Sequence, residues 1–515
     1  MFKNIFGSKK FYITTSIAYV NSEPHIGFAL ESVQADVLAR HYRQLGCEVF
    51  FLTGTDEHGS KIQRTAEADH KDPQEFVDGL SEKFKGLKEA LNLSWDNFIR
   101  TTDQKKHWPV AQEIWNKLFD AGDLYKKKYS GYYCVGCESF KTGKDIVDGK
   151  CVVHKKDLEF IEDENWFFRL SKYTKEIESR IKNNELRIVP ETRRNEILSL
   201  LKEGLEDVSF SRSKKHLEWG IPVPNDDSQV MYVWADALTN YISGYGLNAK
   251  GVARPSEGLG GIKEWKKHPA DVHMIGKDIS RFHTAIWPAM LLSCKLPLPK
   301  SIFVHGFITS NGEKMSKSMG NVIDPYELVK KYGIDPVRYY LLREIPSSED
   351  GDFSYEKFEK RYNGDLANGL GNLAARISTL CLKEGELEYR ADVGSDGTEF
   401  LIESHLTGKQ DLWEKNGEKS KDWKEDIRID LALGSIMDFV SVQDGYMTAR
   451  KPWDKKISEK ERRETLSFLA SALYKIGEML IPFLSNTSDK IIKSFKIEGN
   501  KITVLRKIDN LFPRI

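Results

Sequence analysis

An apolar run, Phe11-Tyr12-Ile13-Thr14-Thr15-Ser16-Ile17, soon gives way to Pro24-His25-Ile26-Gly27 and then to helically spaced Leu30, Val33, Val37, Leu38 and Leu45, with Gly46 as a stop. This order predicts a buried strand that delivers the chain to a helix start, where an imidazole and backbone donors face an anion. A second apolar run follows at Val49-Phe50-Phe51-Leu52. Strand, helix, strand is βαβ usage, which implies a parallel sheet with ligands at the carboxyl ends of its strands. Far downstream, Lys314-Met315-Ser316-Lys317-Ser318 lies between Asn311-Gly312-Glu313 and Gly320-Asn321. Two ammonium groups and two hydroxyls on a glycine-flanked loop suit the negative charge that develops as pyrophosphate leaves ATP. Alone, the pentapeptide is also what a solvated loop looks like. Paired with His25-Ile26-Gly27, it points to carboxylate activation by ATP.

At 515 residues the chain is too long for one core. Residues 117–224, rich in Lys, Tyr and Glu, break the strand-helix rhythm and read as an insertion into a split sheet. Strands are expected again at Val230-Met231-Tyr232-Val233-Trp234, Val272–Gly276 and Ile302–His305. Beyond Tyr355 helical spacing takes over, in Asp365–Leu382, Ile427–Tyr446 and Lys460–Leu480, with the polar stretch Glu414–Glu425 as a loop. The expected division is a catalytic α/β half at 1–116, the insertion at 117–224, the second catalytic half at 225–308, the Lys/Ser loop region at 309–358 and a helical domain at 359–515.

Lys plus Arg equals Asp plus Glu, at 77 each, so a nucleic-acid partner must be met by local patches rather than a global field. The longest nearly apolar stretch, Ala285–Leu292, is interrupted by Pro288, and Met1–Lys10 lacks an apolar core. Neither spans a bilayer, and a soluble cytoplasmic enzyme is expected. Cys134-x2-Cys137-x13-Cys151-x2-His154 offers three thiolates and an imidazole, a full tetrahedral set for one structural zinc ion. A Cys134–Cys137 disulfide and plain buried thiols are the other readings of that spacing. Cys47, Cys294 and Cys381 are isolated and read as core.

Taken together, the chain resembles the class I aminoacyl-tRNA synthetases, and among them the methionyl family, from Phe11 to Ile515. The resemblance rests on Tyr19-Val20-Asn21, His25-Ile26-Gly27, Gly54-Thr55-Asp56-Glu57-His58-Gly59, Trp219-Gly220-Ile221-Pro222-Val223-Pro224, Tyr232-Val233-Trp234-Ala235-Asp236-Ala237, Gly276-Lys277-Asp278 and Lys314–Asn321. It implies a Rossmann-like catalytic domain with a parallel sheet, a zinc-knuckle insertion and a C-terminal α-helical bundle. It also implies ATP-dependent activation of L-methionine, with magnesium, and transfer to initiator and elongator tRNA(Met).

By the same resemblance, His25, Gly27, Lys314, Ser316, Lys317 and Arg212 serve adenylate formation, and Gly276 and Asp278 join His25, Gly27, Lys314 and Lys317 in holding ATP. Ile17, Tyr19, Asp56, Trp234, Ala237, Tyr241, Ile279 and His283 match the methionine site, with Asp56 taking the ammonium. Asn372, Arg376 and Trp453, the last read as near a helix start, match the anticodon readers. Each has a plainer reading: Trp234 and Tyr241 as core aromatics, Asp56 as a helix cap, Arg212 as a surface arginine, Arg376 as a salt-bridging residue and Trp453 as bundle core.

Some positions depart from the family pattern. Phe28 replaces the second histidine of the first motif, which makes a catalytically silent tRNA-binding descendant the alternative. Ala18 and Leu238 replace frequent prolines, His154 a frequent cysteine and Asp444 a frequent asparagine. The insertion is too small for the editing domain of the leucyl, isoleucyl and valyl enzymes. An end at Phe512-Pro513-Arg514-Ile515, close to where the helical domain should stop, favours a monomer.

Overall fold

β1 (Lys10–Thr15), β2 (Ala18–Tyr19), β3 (Glu48–Asp56) and β4 (Asn97–Arg100) begin a parallel sheet in this computed structural model, which describes residues 9–137, 139–141, 143–153, 155–245, 259–315, 320–394, 397–408 and 427–515. The chain divides into two compact units. One comprises Met1–Pro24, Gly46–Lys88 and Ser94–Val304, and the other His25–Leu45, Glu89–Leu93 and His305–Ile515.

In the first unit the strand order is Arg187–Val189, Ser301–His305, Val272–Gly276, β1, β3, β2, with β4 also on β3. Tyr12 lies opposite Phe50, and Ile13 opposite both Phe51 and Val272. β1 is covered on both faces, which is why it reads as a continuous apolar run rather than an alternating one. Tyr12 stacks on Tyr245 at 4.2 Å in a core that includes Phe50, Leu52, Trp265 and Trp287. Gly54 is required here: a Cβ would lie 2.0 Å from the Ile99 carbonyl oxygen, so only glycine lets β4 close on β3.

The segment expected as the insertion holds a four-stranded antiparallel sheet of Val208–Ser209, Glu159–Phe168, Leu124–Cys134 and Ser139–Lys141. It also returns Arg187–Val189 to the edge of the parallel sheet. The expected strand Val230–Trp234 is corrected by the structure. The strand is Asp226–Met231, antiparallel to Ser211–Ser213 and Pro222–Val223, and Val233–Ala237 is a helical turn. A five-residue apolar run carries no period that separates strand from buried helix.

The second unit contains α1 (Ile26–Gln44) and the helices Pro325–Tyr332, Ile334–Arg343, Asn372–Cys381, Ile429–Arg450 and Glu459–Leu480. The last starts where Ser458 accepts a hydrogen bond from the Glu461 N–H. Asp365–Leu382 was expected to be one helix. Its first part lies in a π-helical segment, Tyr362–Gly371, and its second is α-helical. Glu386–Glu388 pairs with the tail strand Lys501–Val504. The stretch Glu414–Glu425 lies outside the described residues.

Arg338 is fully buried. Its guanidinium meets the Asp36 carboxylate of α1 at 2.9 Å and donates to the carbonyls of Leu91, Pro482 and Phe483 at 3.0, 3.1 and 2.8 Å. Among the described residues no helix is long and apolar enough to cross a membrane.

Candidate active site and metal centre

All the residues expected to hold methionine belong to the first unit. β2 sets Tyr19 opposite Asp56 at the carboxyl end of β3, and Asp56 is 5% exposed. The helix that follows, Ser60–Ala68, starts at Gly59 with no side-chain cap, so the reading of Asp56 as a cap does not hold. Trp234 stacks face to face on Phe282 at 3.8 Å and meets the edge of His283 at 5.9 Å. His283 Nδ1 lies 3.0 Å from the Ile279 carbonyl, which only accepts, so Nδ1 carries the hydrogen. Nε2 therefore accepts from the Tyr241 hydroxyl at 2.6 Å. The Tyr12 hydroxyl donates in turn to the Tyr241 carbonyl at 2.6 Å. Ile17, Trp234 and Ile279 are half-buried and pack against the core, whereas Ala237 and Tyr241 are buried. The result is an apolar, polarizable wall in which the Tyr241 hydroxyl and both His283 ring nitrogens are engaged.

Burial lowers the pKa of His283 to about 4, so the ring is neutral in the working range, and His41 on α1 is lowered likewise to about 4. In the unfolded chain both take up protons near pH 6.5. Between those values the unfolded state holds more protons, so stability falls as pH drops from 6.5 towards 4. Buried His273 is held well below its ordinary value too, so thermal melts across that range are expected to shift downward, with uptake of about three protons per chain on unfolding near pH 5. Calorimetry in buffers of different ionisation enthalpy measures that uptake.

The site has a buried polar support that sequence reading missed. The Asp236 carboxylate lies 2.6 Å from His58 Nδ1 and 2.7 Å from His107 Nε2, and His107 Nδ1 is 2.7 Å from the Ser243 hydroxyl. Contact with the two imidazoles holds Asp236 below the usual carboxylate range despite burial. His58 follows Asp56 by two positions, and Asp236 shares a helical turn with Trp234 and Ala237. This pairing therefore fastens the end of β3 to the pocket's aromatic wall. Nearby, Glu57 takes a two-pronged pair from Arg100, at 2.7 and 2.9 Å. The local string Asp56-Glu57-His58 was a signal that more than one of its side chains has a partner. Phe282 was also missed.

Gly276 is buried at the end of its strand, and Asp278 is exposed in the short turn that follows. The Arg212 guanidinium lies 4.4 Å from the Tyr232 ring centroid and donates to the Ser211 carbonyl and Ser209 hydroxyl at 2.8 and 3.0 Å. It is half-buried, not a surface arginine.

In the second unit, His25 caps α1 with Nδ1 accepting from the Gly27 N–H at 3.1 Å. A Cβ at residue 27 would lie 2.9 Å from His25 Cε1, so glycine lets the imidazole fold back over the helix start. Phe28 is half-buried in the next position. Lys314 is exposed on a hairpin of Ile308–Ser310 with Glu313–Lys314, and Ser316 and Lys317 lie outside the described residues.

Asn372 is exposed at the first turn of its helix, with Arg376 one turn on. Arg376 pairs with Asp444 at 2.7 Å, and its guanidinium lies 5.3 Å from the Trp453 ring centroid. Trp453 is 47% exposed, which removes the bundle-core reading. It stands in the turn after Arg450 rather than at a helix start. That start comes later, at Ser458, because a Ser-x-x-Glu pattern caps better than Pro452.

The sulfurs of Cys134, Cys137 and Cys151 lie within 4.8 Å of one another, with Cys137 and Cys151 at 3.7 Å. That spacing is too long for a disulfide and matches the edge of about 3.8 Å that a tetrahedron with metal–sulfur bonds of about 2.3 Å requires. His154 lies outside the described residues.

The sequence model of the tRNA synthetases class I (M) matches residues 11–151 and 141–378. A methionine--tRNA ligase of Thermotoga maritima is 42% identical over 95% of this chain and 76% of its own length. One from Brucella suis is 40% identical over 96% of this chain and 93% of its own. Among solved structures, the Mycobacterium tuberculosis methionyl-tRNA synthetase bound by methionyl-adenylate superposes with a TM-score of 0.86 at 36% identity, covering 98% of this chain and 100% of that one. With that match along nearly its whole length, the chain belongs to the methionyl branch of the class I tRNA synthetases.

Proposed function

We propose that the chain is a methionine--tRNA ligase, and the observation that carries this is the aromatic cluster of Trp234, Tyr241, His283 and Phe282, tied through Asp236 and His58 to the strand that bears Asp56. The methionine thioether packs on the rings, and the Asp56 carboxylate receives the ammonium. The substrate carboxylate, ionised at neutral pH, attacks the α-phosphorus of ATP without a general base. A carbon-bound oxygen joins phosphorus, and the bond to the pyrophosphate oxygen breaks with its electron pair leaving on pyrophosphate. His25, Gly27, Lys314 and Lys317 hold the triphosphate with magnesium, Gly276 and Asp278 the ribose, and Arg212 and Ser316 the reacting phosphate. The terminal ribose hydroxyl of tRNA(Met) then attacks the carbonyl, and AMP departs.

Asn372 and Arg376 read splayed anticodon bases while Trp453 stacks on one, an arrangement suited to a single-stranded loop. Asp444 fixes the guanidinium plane. The ligase acts as a cytoplasmic monomer on initiator and elongator tRNA(Met). Cys134, Cys137, Cys151 and His154 hold one zinc ion, whose contribution is structural cross-linking of the antiparallel insertion.

Exchange between ATP and pyrophosphate tests the reading. Methionine is expected to support it, while leucine, isoleucine, valine and cysteine do not; exchange with none of the five would sink it. For the metal, elemental analysis is expected to give one zinc per chain, and Cys151→Ser to lose it. Arg376→Ala is expected to lower tRNA charging about a hundredfold, by loss of base contacts of about 1–3 kcal/mol each, with exchange unchanged.

A further inference from the structure

Glu31 and His305 form a buried pair that the chemistry above does not use. Glu31 lies on the second turn of α1, past His25 and Gly27, and His305 ends the strand Ser301–His305, just before the hairpin that carries Lys314. His305 Nδ1 is 2.8 Å from the Gly306 carbonyl, so it carries a hydrogen. Nε2 is 2.8 Å from a Glu31 carboxylate oxygen. Two lone pairs cannot face each other at that distance, so a proton lies between these atoms, either on the imidazole or on the carboxyl. The pair is thus an obligate proton bridge between a buried acid and a buried base.

Its location gives it a role. The stem that leads to Lys314 is stiff: the Thr309 hydroxyl and the Gly312 N–H both donate to Asp352 Oδ1 at 2.7 Å. A Cβ at Gly306 would lie 2.1 Å from the Glu349 carbonyl oxygen, so the backbone there is pressed against its neighbour. After the Lys/Ser stretch, the Ile26 N–H of α1 donates to the Ile323 carbonyl at 3.0 Å. Glu31 and Ile26 therefore anchor both flanks of the signature segment to the helix that His25 caps.

Resting on the adenylation reading above, we infer that Glu31 and His305 are positioning residues for adenylate formation: their bridge holds the helix start with His25 and Gly27 in register with the hairpin that presents Lys314. The methionine pocket is built from other elements, so the effect should fall on the phosphate chemistry and spare amino-acid binding.

The test compares Glu31→Ala, Glu31→Gln, His305→Ala and the double alanine variant. Glu31→Ala and His305→Ala are expected to lower kcat of exchange about tenfold to a hundredfold, the scale of a misplacement of about 1 Å. Methionine affinity, read from tryptophan fluorescence, should change less than about twofold. Glu31→Gln should recover to within about threefold of wild type, because its amide can donate to Nε2 of a neutral imidazole. The double variant should be no worse than the poorer single one, since both remove one bridge. Amide hydrogen exchange should quicken at both residues 26–32 and 307–314. Full kcat in folded Glu31→Ala, an equal loss of methionine affinity, or unchanged hydrogen exchange at either segment would overturn the inference. Absence of exchange in the wild-type protein would instead count against the ligase reading, and the hydrogen-exchange comparison would still decide the bridge.

Discussion

Asp56→Asn is expected to lower kcat/KM for methionine in ATP–pyrophosphate exchange by about two to three orders of magnitude, while the melting temperature stays near that of wild type. The carboxylate is buried, at the end of β3 and in register with Tyr19. An ammonium brought into that setting without its counter-charge loses about 3–5 kcal/mol, the usual penalty for breaking a buried ion pair. An asparagine keeps the shape and supplies one acceptor oxygen, so the pocket's aromatic wall should survive. Steady-state exchange and a circular-dichroism melt together make the measurement. A loss smaller than tenfold would remove Asp56 from the role of ammonium acceptor.

Arg338→Ala is expected to destabilise the unit built on α1 and the helical bundle by about 3–5 kcal/mol, because it strips Asp36 of a buried partner and leaves three carbonyls to find other donors. Arg40 still holds Asp36 at 2.7 Å, which places the loss towards the lower end of that range. Arg338→Lys should recover only part of it, since one ammonium cannot match a planar fork directed at four oxygens. Urea denaturation followed by far-ultraviolet circular dichroism reads the change as a fall in midpoint. An unchanged midpoint for the alanine variant would show that the carbonyls are satisfied without the guanidinium.

The parts of this molecule legible from sequence were those written in contiguous residues. Val272–Gly276 and Ile302–His305 are short apolar runs bounded by polar turns, and both are strands of the parallel sheet. His25 was expected at a helix start, and it caps α1. Val230–Trp234 misled because its apolar character continues across the boundary where the strand ends and a helical turn begins. Arg187–Val189 is too short to announce itself and gains strand geometry only from Ser301–His305 beside it. The Asp236, His58 and His107 cluster joins residues far apart in the chain, so no local window contains it. The placement of Glu31 opposite His305 is likewise a property of the fold rather than of any motif.

The edge strand Arg187–Val189 has a consequence for how the chain is made. β1 and β3 can pair as soon as the first turn of the sheet leaves the ribosome, but Arg187–Val189 has its sheet partner, Ser301–His305, about 110 residues later. At roughly 5–20 residues per second, the nascent chain carries that strand unmatched for on the order of ten seconds. During that interval Arg187 and the basic and acidic side chains of the following helix, Glu191–Glu203, keep its flanks charged. That gives the unfinished edge a barrier against pairing with a neighbouring nascent chain on the same message.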